Sequence, residues 1–284
     1  MSPAISPDGK WVVFASTRDR ALDQTSLWIA KLGVEVTPTR LTGDGDAANA
    51  WIDSHPVWTR DGRSIVFAST RDGGDFDLWQ VARDGGAPVQ LTTSEHHEVT
   101  PSIAPDGSIL YAAVDKQTGA SHIEARAPDG TIAQVTPGPD EREPAVSPDG
   151  QTIAFTSRVE RDGRKDGELW LVHRGTGQAK QLVNLPPTDE SGPVWSRDGR
   201  FVFATSVLPG ASEQPLFASV VFVDRDESPM RVRILRDSAG ALTRVTPAIA
   251  TALDATALRR DPEYLPELAK VMAAAIAKQR MQPR

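Results

Sequence analysis

The 284-residue chain has no cysteine. That excludes disulfides and thiolate metal centres, and it fits a reducing cytoplasm and an oxidising envelope equally well. Positive charge is in deficit: 31 Lys and Arg against 38 Asp and Glu leave a formal charge of -7 and a pI near 5.3. A nucleic-acid binder normally shows a basic face, so that class is set aside. No apolar run approaches the ~18–20 residues needed for a membrane-spanning helix. Gly-x-Ser-x-Gly, a Gly-rich phosphate loop and His-Glu-x-x-His are all missing, so no dedicated catalytic motif is present.

What the chain does contain is one phrase five times over. Pro3-Ala4-Ile5-Ser6-Pro7-Asp8-Gly9 returns around Asp61-Gly62, Asp106-Gly107, Asp149-Gly150 and Asp198-Gly199, with the Asp residues 53, 45, 43 and 49 positions apart. Such a period suits one four-stranded propeller blade, and stacked repeats bury a core that no single repeat could. Ser-Pro-Asp-Gly places Pro early in a tight turn and Gly where a left-handed backbone is required. A β-rich run follows each turn, as in Trp11–Ala15 and Ser64–Ala68. A third strand carries Leu27-Trp28, Leu78-Trp79 or Leu169-Trp170, and a fourth ends near Leu41-Thr42, Leu91-Thr92, Val135-Thr136 or Leu182-Val183. The third repeat has His122-Ile123-Glu124 in place of Leu-Trp and still counts as a blade. The fifth carries β-runs at 217–223, 230–235 and 242–246, one more than it needs.

The expected fold is therefore all-β: a propeller over residues 1–250 with five recognisable four-stranded blades. A six-bladed type follows if one blade is missing before Met1 or degenerate after Val223. Residues 251–284 form a helical tail, with Asp261 as N-cap, Pro262 at the first helical position, and Leu265, Leu268, Met272 and Ile276 on one face.

A carboxylate stands three positions before each internal repeat's Pro: Asp53, Glu98, Glu141 and Glu190. His55, His96, His97, Asp140, Glu143 and Asp189 lie beside them, and Arg18, Arg71, Lys116 and Arg158 follow the second strands. Blade geometry puts all of these at one end of the channel. Three readings fit. The acids latch one blade to the next through backbone amides or arginines. Alternatively Asp53, His55, Glu98, Glu141, Glu143, Glu190, Arg18, Arg71 and Arg158 form a charged mouth that captures a basic protein segment. The third reading is a metal site, for which the hard oxygen donors suit calcium, although no ligand spacing supports it. Trp28, Trp58, Trp79, Trp170 and Trp195 repeat with the blades and read as inter-blade core; Trp51 stands outside that register.

The phrase Pro-x-x-Ser-Pro-Asp-Gly, followed by a β-run, Ser-x-Arg-Asp and Leu-Trp, resembles the repeats of TolB-type propellers of bacterial envelopes over roughly Pro3 to Thr246. The same repeat type occurs in the propellers of prolyl-oligopeptidase-type and tricorn peptidases and in oligogalacturonate lyases. The resemblance implies a non-catalytic, monomeric protein-interaction scaffold with a protein or peptide partner, no cofactor, no nucleic acid and no membrane span. The alternative is a metal-assisted uronate lyase or the accessory propeller of a serine peptidase. Met1-Ser2 runs straight into the first repeat. A periplasmic location is expected if a signal sequence lies upstream, and a cytoplasmic one if Met1 is the true start.

Overall fold

The computed structural model describes residues 3–19, 24–33, 37–43, 51–161, 164–183, 188–208 and 217–226, with short strands at 232–234, 236–237 and 240–241. Five antiparallel four-stranded sheets follow one another along the chain. Blade one is β1 (Ala4–Ile5), β2 (Trp11–Ser16), β3 (Ser26–Lys31) and β4 (Thr39–Arg40). Blade two is β5 (Asp53–Trp58), β6 (Ser64–Ser69), β7 (Asp77–Ala82) and β8 (Val89–Gln90). Blade three is β9 (His97–Ile103), β10 (Ile109–Val114), β11 (Ser121–Arg126) and β12 (Ile132–Gln134). Blade four is β13 (Glu141–Val146), β14 (Thr152–Arg161), β15 (Arg164–His173) and β16 (Ala179–Val183). Blade five is β17 (Asp189–Trp195), β18 (Phe201–Leu208), β19 (Phe217–Asp224) and β20 (Val232–Ile234). A two-stranded ribbon follows, β21 (Arg236–Asp237) with β22 (Gly240–Ala241). The described residues contain no helix. The extra run at 242–246 and the expected tail helix lie outside them.

Second strands of the inner blades read as continuous apolar runs because both faces of those sheets are covered. In β6, Ile65 and Phe67 pack toward blade one with Val13, Leu27 and Ile29. The alternate residues Val66 and Ala68 pack toward blade three with Ile109 and Tyr111. Two further clusters join blades three to four and four to five. The core thus lies between blades, as the period-2 alternation of a strand demands when each side meets a neighbour.

Register explains the weak third repeat. Phe14, Phe67 and Phe155 stand opposite Trp28, Trp79 and Trp170. In blade three the same place holds Tyr111 opposite Glu124, joined by a 2.9 Å hydrogen bond from the Tyr111 hydroxyl. Ile123 takes the buried position of the neighbouring Leu. A polar pair replaces an aromatic one and the blade survives. Trp58 and Trp195 differ from the strand-three tryptophans: their indole N–H groups donate to Ala4 O and Ala145 O of the preceding blade, at 3.0 and 2.8 Å.

The Asp-Gly turns form one face of the ring. Asp8, Asp61, Asp149 and Asp198 each accept, on Oδ1, a hydroxyl two residues back (Ser6, Thr59, Ser147, Ser196) and an amide two residues on (Lys10, Arg63, Gln151, Arg200). Of these two turn bonds Asp106 accepts only the amide, because Ala104 replaces the serine. The Ser6 hydroxyl and the Lys10 amide hold the Asp8 carboxyl below its ordinary range. Gly9, at φ +70°, closes the first turn in a conformation a β-branched residue adopts only under strain.

Gly167 is needed for a different reason. A Cβ there would overlap the Glu190 carbonyl oxygen and reach within 2.7 Å of Asp189 Oδ1. Gly167→Ala is expected to destabilise the protein by about 1–3 kcal/mol through this overpacking. Chemical denaturation measures it; an unchanged midpoint would sink the close-approach reading.

Candidate functional site: the channel mouth

The loop face, opposite the Asp-Gly turns, is where the first strands begin. Each internal first strand carries a bulge at the residue before its Pro. Pairing slips between Ser54 and Val57, between Arg142 and Ala145, between Ser191 and Val194, and opposite Leu110 and Ala112 in blade three. The bulged residues are His55, Thr100, Glu143 and Gly192, at φ 49°, 53°, 54° and 62°. Gly192 is the residue this backbone favours. His55, Thr100 and Glu143 occupy the left-handed region with side chains attached, at a cost on the order of 1 kcal/mol each.

These side chains converge across the ring. Glu143 Oε2 accepts the Gly192 amide at 2.7 Å and the Thr156 hydroxyl at 3.0 Å. His55 belongs to blade two and Glu143 to blade four, yet the carboxylate acts on the imidazole. Burial pushes the His55 imidazole below its usual pKa, against the upward pull of Glu143. His55 Nδ1 lies 3.1 Å from Ser54 Oγ. Thr100 Oγ1 is shielded from solvent with no hydrogen-bond partner among the described residues. The mouth therefore presents an imidazole whose charged form burial disfavours and a carboxylate, while the Thr100 hydroxyl is turned away from solvent. Sequence reasoning named His55 and Glu143 but missed Thr100, which the shared position before Pro would have flagged.

The four repeated carboxylates sit deeper, in the seams between blades. Asp53, Glu98 and Glu190 have no exposed surface and Glu141 is 6% exposed. Asp53 accepts Thr42 Oγ1 at 2.5 Å, Ser69 Oγ at 2.6 Å and Arg71 Nη2 at 2.7 Å. Thr42 in turn accepts the Leu27 amide, so a strand of blade one is tied to the first strand of blade two. The chain Leu78 amide, Thr92 hydroxyl, Glu98 repeats this between blades two and three. Glu141 accepts the Gly138 amide, and Glu190 accepts the Thr188 and Ser206 hydroxyls. Burial raises the Glu98 carboxyl, and pushes Glu190 up to about 7.

The expected bases disperse. Arg71 pairs with Asp53 and lies 5.1–5.3 Å from the ring centroids of Trp51, Phe67 and Trp79. Trp51, outside the repeat register, thus packs on Arg71. Arg18, two residues beyond Ser16 as Arg71 is beyond Ser69, is exposed over Trp28 at 5.3 Å. Arg158 stands only one residue beyond Ser157, the partner of Glu141, so it falls on the opposite strand face and is exposed. Lys116 pairs with Asp75 at 2.7 Å. His96 packs edge-on to His122, and His97 Nδ1 accepts the Phe76 amide. Asp140 meets Arg142 and Lys165 at 2.9 and 2.8 Å; burial works against its ionised form, but those two cations hold its pKa below the ordinary range. Among the described residues no three His, Asp or Glu side chains converge as metal ligands.

Five successive antiparallel four-stranded blades, with left-handed bulges on their internal first strands, define a repeat propeller. The family model of the TolB beta propeller domain matches residues 1–199, and the chain belongs to that family. It is 29% identical over 160 residues to the Tol-Pal system protein TolB of Francisella tularensis, covering 55% of this chain and 35% of that protein. It is 24% identical over 217 residues to the uncharacterized peptidase YuxL of Bacillus subtilis, covering 72% of this chain and 29% of that protein. The chain spans about a third of the length of the curated relatives it matches. In fold it is similar to a putative TolB from Agrobacterium tumefaciens, with TM-score 0.65, 20% identity, and 85% and 82% of the two chains covered. An oligogalacturonate lyase in complex with manganese shares the fold at TM-score 0.61 and 13% identity, over 85% of this chain and 66% of that one.

Proposed function

We propose that this chain is a non-catalytic interaction propeller that receives a partner protein at its channel mouth. One observation carries the reading. Three consecutive first strands hold a side chain in a conformation that blade packing does not require, since glycine serves the fourth. Strain retained at one place, with differing polar side chains, is what a recognition surface shows; a purely structural bulge would relax toward glycine. Of the nine residues expected at the mouth, His55 and Glu143 are the ones we assign to partner contact. The buried Asp53, Glu98, Glu141 and Glu190 act as latches that hold the mouth in shape. The likeness to proteins of a Tol-Pal system supports a protein partner, and a periplasmic location belongs to the same proposal.

The test is affinity capture from envelope and cytosolic lysates with wild type beside a His55→Gly variant. Glycine keeps the bulged backbone, so the variant should melt like wild type and lose the partner. A folded variant that still captures the same protein, or a wild type that captures none, would overturn the assignment.

A further inference from the structure

Four described seams join the five blades, and three of them share devices that the seam between blades two and three lacks. The first device is an apolar residue on the third strand facing the preceding blade. By register this is Trp79 for blade two, Trp170 for blade four and Val221 for blade five, but Glu124 for blade three. The second is an arginine four residues further on, reaching back to the preceding blade's turn. Arg174 meets Asp106 at 3.1 Å and Arg225 meets Asp149 at 3.7 Å; Arg83 lines a groove with Asp8 and lies over Trp11. Blade three has Pro128 there.

The third device ties the innermost strands. Trp58 and Trp195 donate to the preceding blade, and the Val146 amide donates to Ser102 Oγ at 3.2 Å. Blade three carries Ile103 at the tryptophan position, whose side chain has no polar hydrogen to offer. A cavity of about 330 Å³ opens at this seam, walled by Gln80, Ile103, Pro105 and Ile109, and Asp61 at its edge has no ion pair among the described residues.

What remains at the seam is an apolar cluster and a set of charged groups. Val66, Ala68 and Leu78 meet Ile109, Tyr111 and Ala113. The Glu98 amide donates to Phe76 O at 2.6 Å, and Arg126 Nε donates to Leu91 O at 2.9 Å. Lys116 and Asp75 form an exposed pair, with His97 at 4.0 Å from Asp75. Inside lie Asp77, Glu98 and Glu124 with Tyr111. Glu124 is held by Tyr111 and His122. Asp77 accepts Gln90 Nε2 and Glu98 accepts the Thr92 hydroxyl on one oxygen each, while Asp77 Oδ1 and Glu98 Oε1 are buried with no hydrogen-bond partner among the described residues. Arg71, the cation that neutralises Asp53, has no counterpart here: the residue two beyond Ala113, the partner of Glu98, is Asp115.

We propose that the seam between blades two and three is where the blade array parts first, and that ionisation of the buried Asp77 and Glu98 controls the parting. Burial raises both carboxyls above their ordinary values. A carboxyl raised in the folded state stabilises below its ordinary pKa, and that stabilisation is lost as pH rises through the raised value. The seam therefore holds in mild acid and loosens toward alkaline pH. It runs between His55 and Thr100, so its opening divides the mouth.

Reporters exist, because a backbone amide donates across each of three seams: Asp53 N to Thr25 O, Glu98 N to Phe76 O, and Ser121 N to Pro139 O. Hydrogen exchange on the free protein, corrected for intrinsic rates, should show the Glu98 amide exchanging about tenfold faster than the other two once pH is above the raised carboxyl values, with the gap closing as pH falls back through them. Glu98→Gln should narrow that pH dependence, leaving only the part due to Asp77. Pro128→Arg, an exposed change that supplies the missing partner for Asp61, should slow exchange at position 98 alone. If the Asp53 or Ser121 amide exchanges first, or if Glu98→Gln leaves the pH gap intact, the proposal is wrong; so it is if Pro128→Arg folds and changes nothing.

Discussion

Asp53→Ala is expected to remove about 3–5 kcal/mol of stability, the usual result of deleting one member of a buried ion pair. The carboxylate has no exposed surface and accepts three donors, from Thr42, Ser69 and Arg71. Alanine strands all three. The Arg71 side chain is only 11% exposed and fills the space among Trp51, Phe67 and Trp79, so its charge cannot easily escape to water. Thr42 would also lose the acceptor through which the Leu27 amide of blade one is tied to blade two. Urea unfolding of the single variant measures the loss. Asp53→Ala/Arg71→Met should recover part of it, because the double change removes the uncompensated charge as well as the bond. A loss below about 1 kcal/mol in the single variant would show that Asp53 is not a latch.

Glu190 occupies the same repeat position and should behave in the opposite way. It accepts Thr188 and Ser206 on Oε1, while Oε2 is buried without a partner among the described residues. Burial, with Asp189 and Glu168 adding like charge, moves its pKa from 4.5 to about 7. The folded value lies above the unfolded one. Its contribution is complete below the unfolded value and disappears as pH rises through 7. At alkaline pH the folded protein must hold an unpaired buried anion, at a cost of about 3 kcal/mol relative to mild acid. Glu190→Gln keeps the acceptor for both hydroxyls and cannot ionise. The wild type should lose thermal stability between mildly acidic and alkaline pH, whereas the variant should lose less over that range and melt higher at the alkaline end. Parallel curves for the two proteins would refute the assignment.

These opposite outcomes show how far the repeat could be read from residues alone. Asp53, Glu98, Glu141 and Glu190 are visible as a periodic acid three positions before Pro, and periodicity says that they serve one structural place. It does not say which has a cation. That depends on whether an arginine stands two residues beyond the register partner on strand two. It does at Arg71, whereas blades three and five carry Asp115 and Leu208 there. The three arginines grouped as a ring illustrate the same limit. Arg158 stands one residue from its reference position rather than two, and strand alternation sends it to the other face.

Sequence alone determined the five four-stranded blades, their Asp-Gly turns and their inter-blade tryptophans. Each rests on short-range chemistry: a turn that needs Gly, a Ser-Asp-amide bond closed within five residues, and an alternation set by covering both faces of a sheet. Tertiary structure alone decided the position of the acids in the seams, the left-handed bulges at His55, Thr100 and Glu143, and the approach of Glu143 to His55 and Gly192. Those depend on residues tens of positions apart meeting across the channel. A repeat carries its local geometry in every copy, but pairings between copies exist only once the blades are stacked.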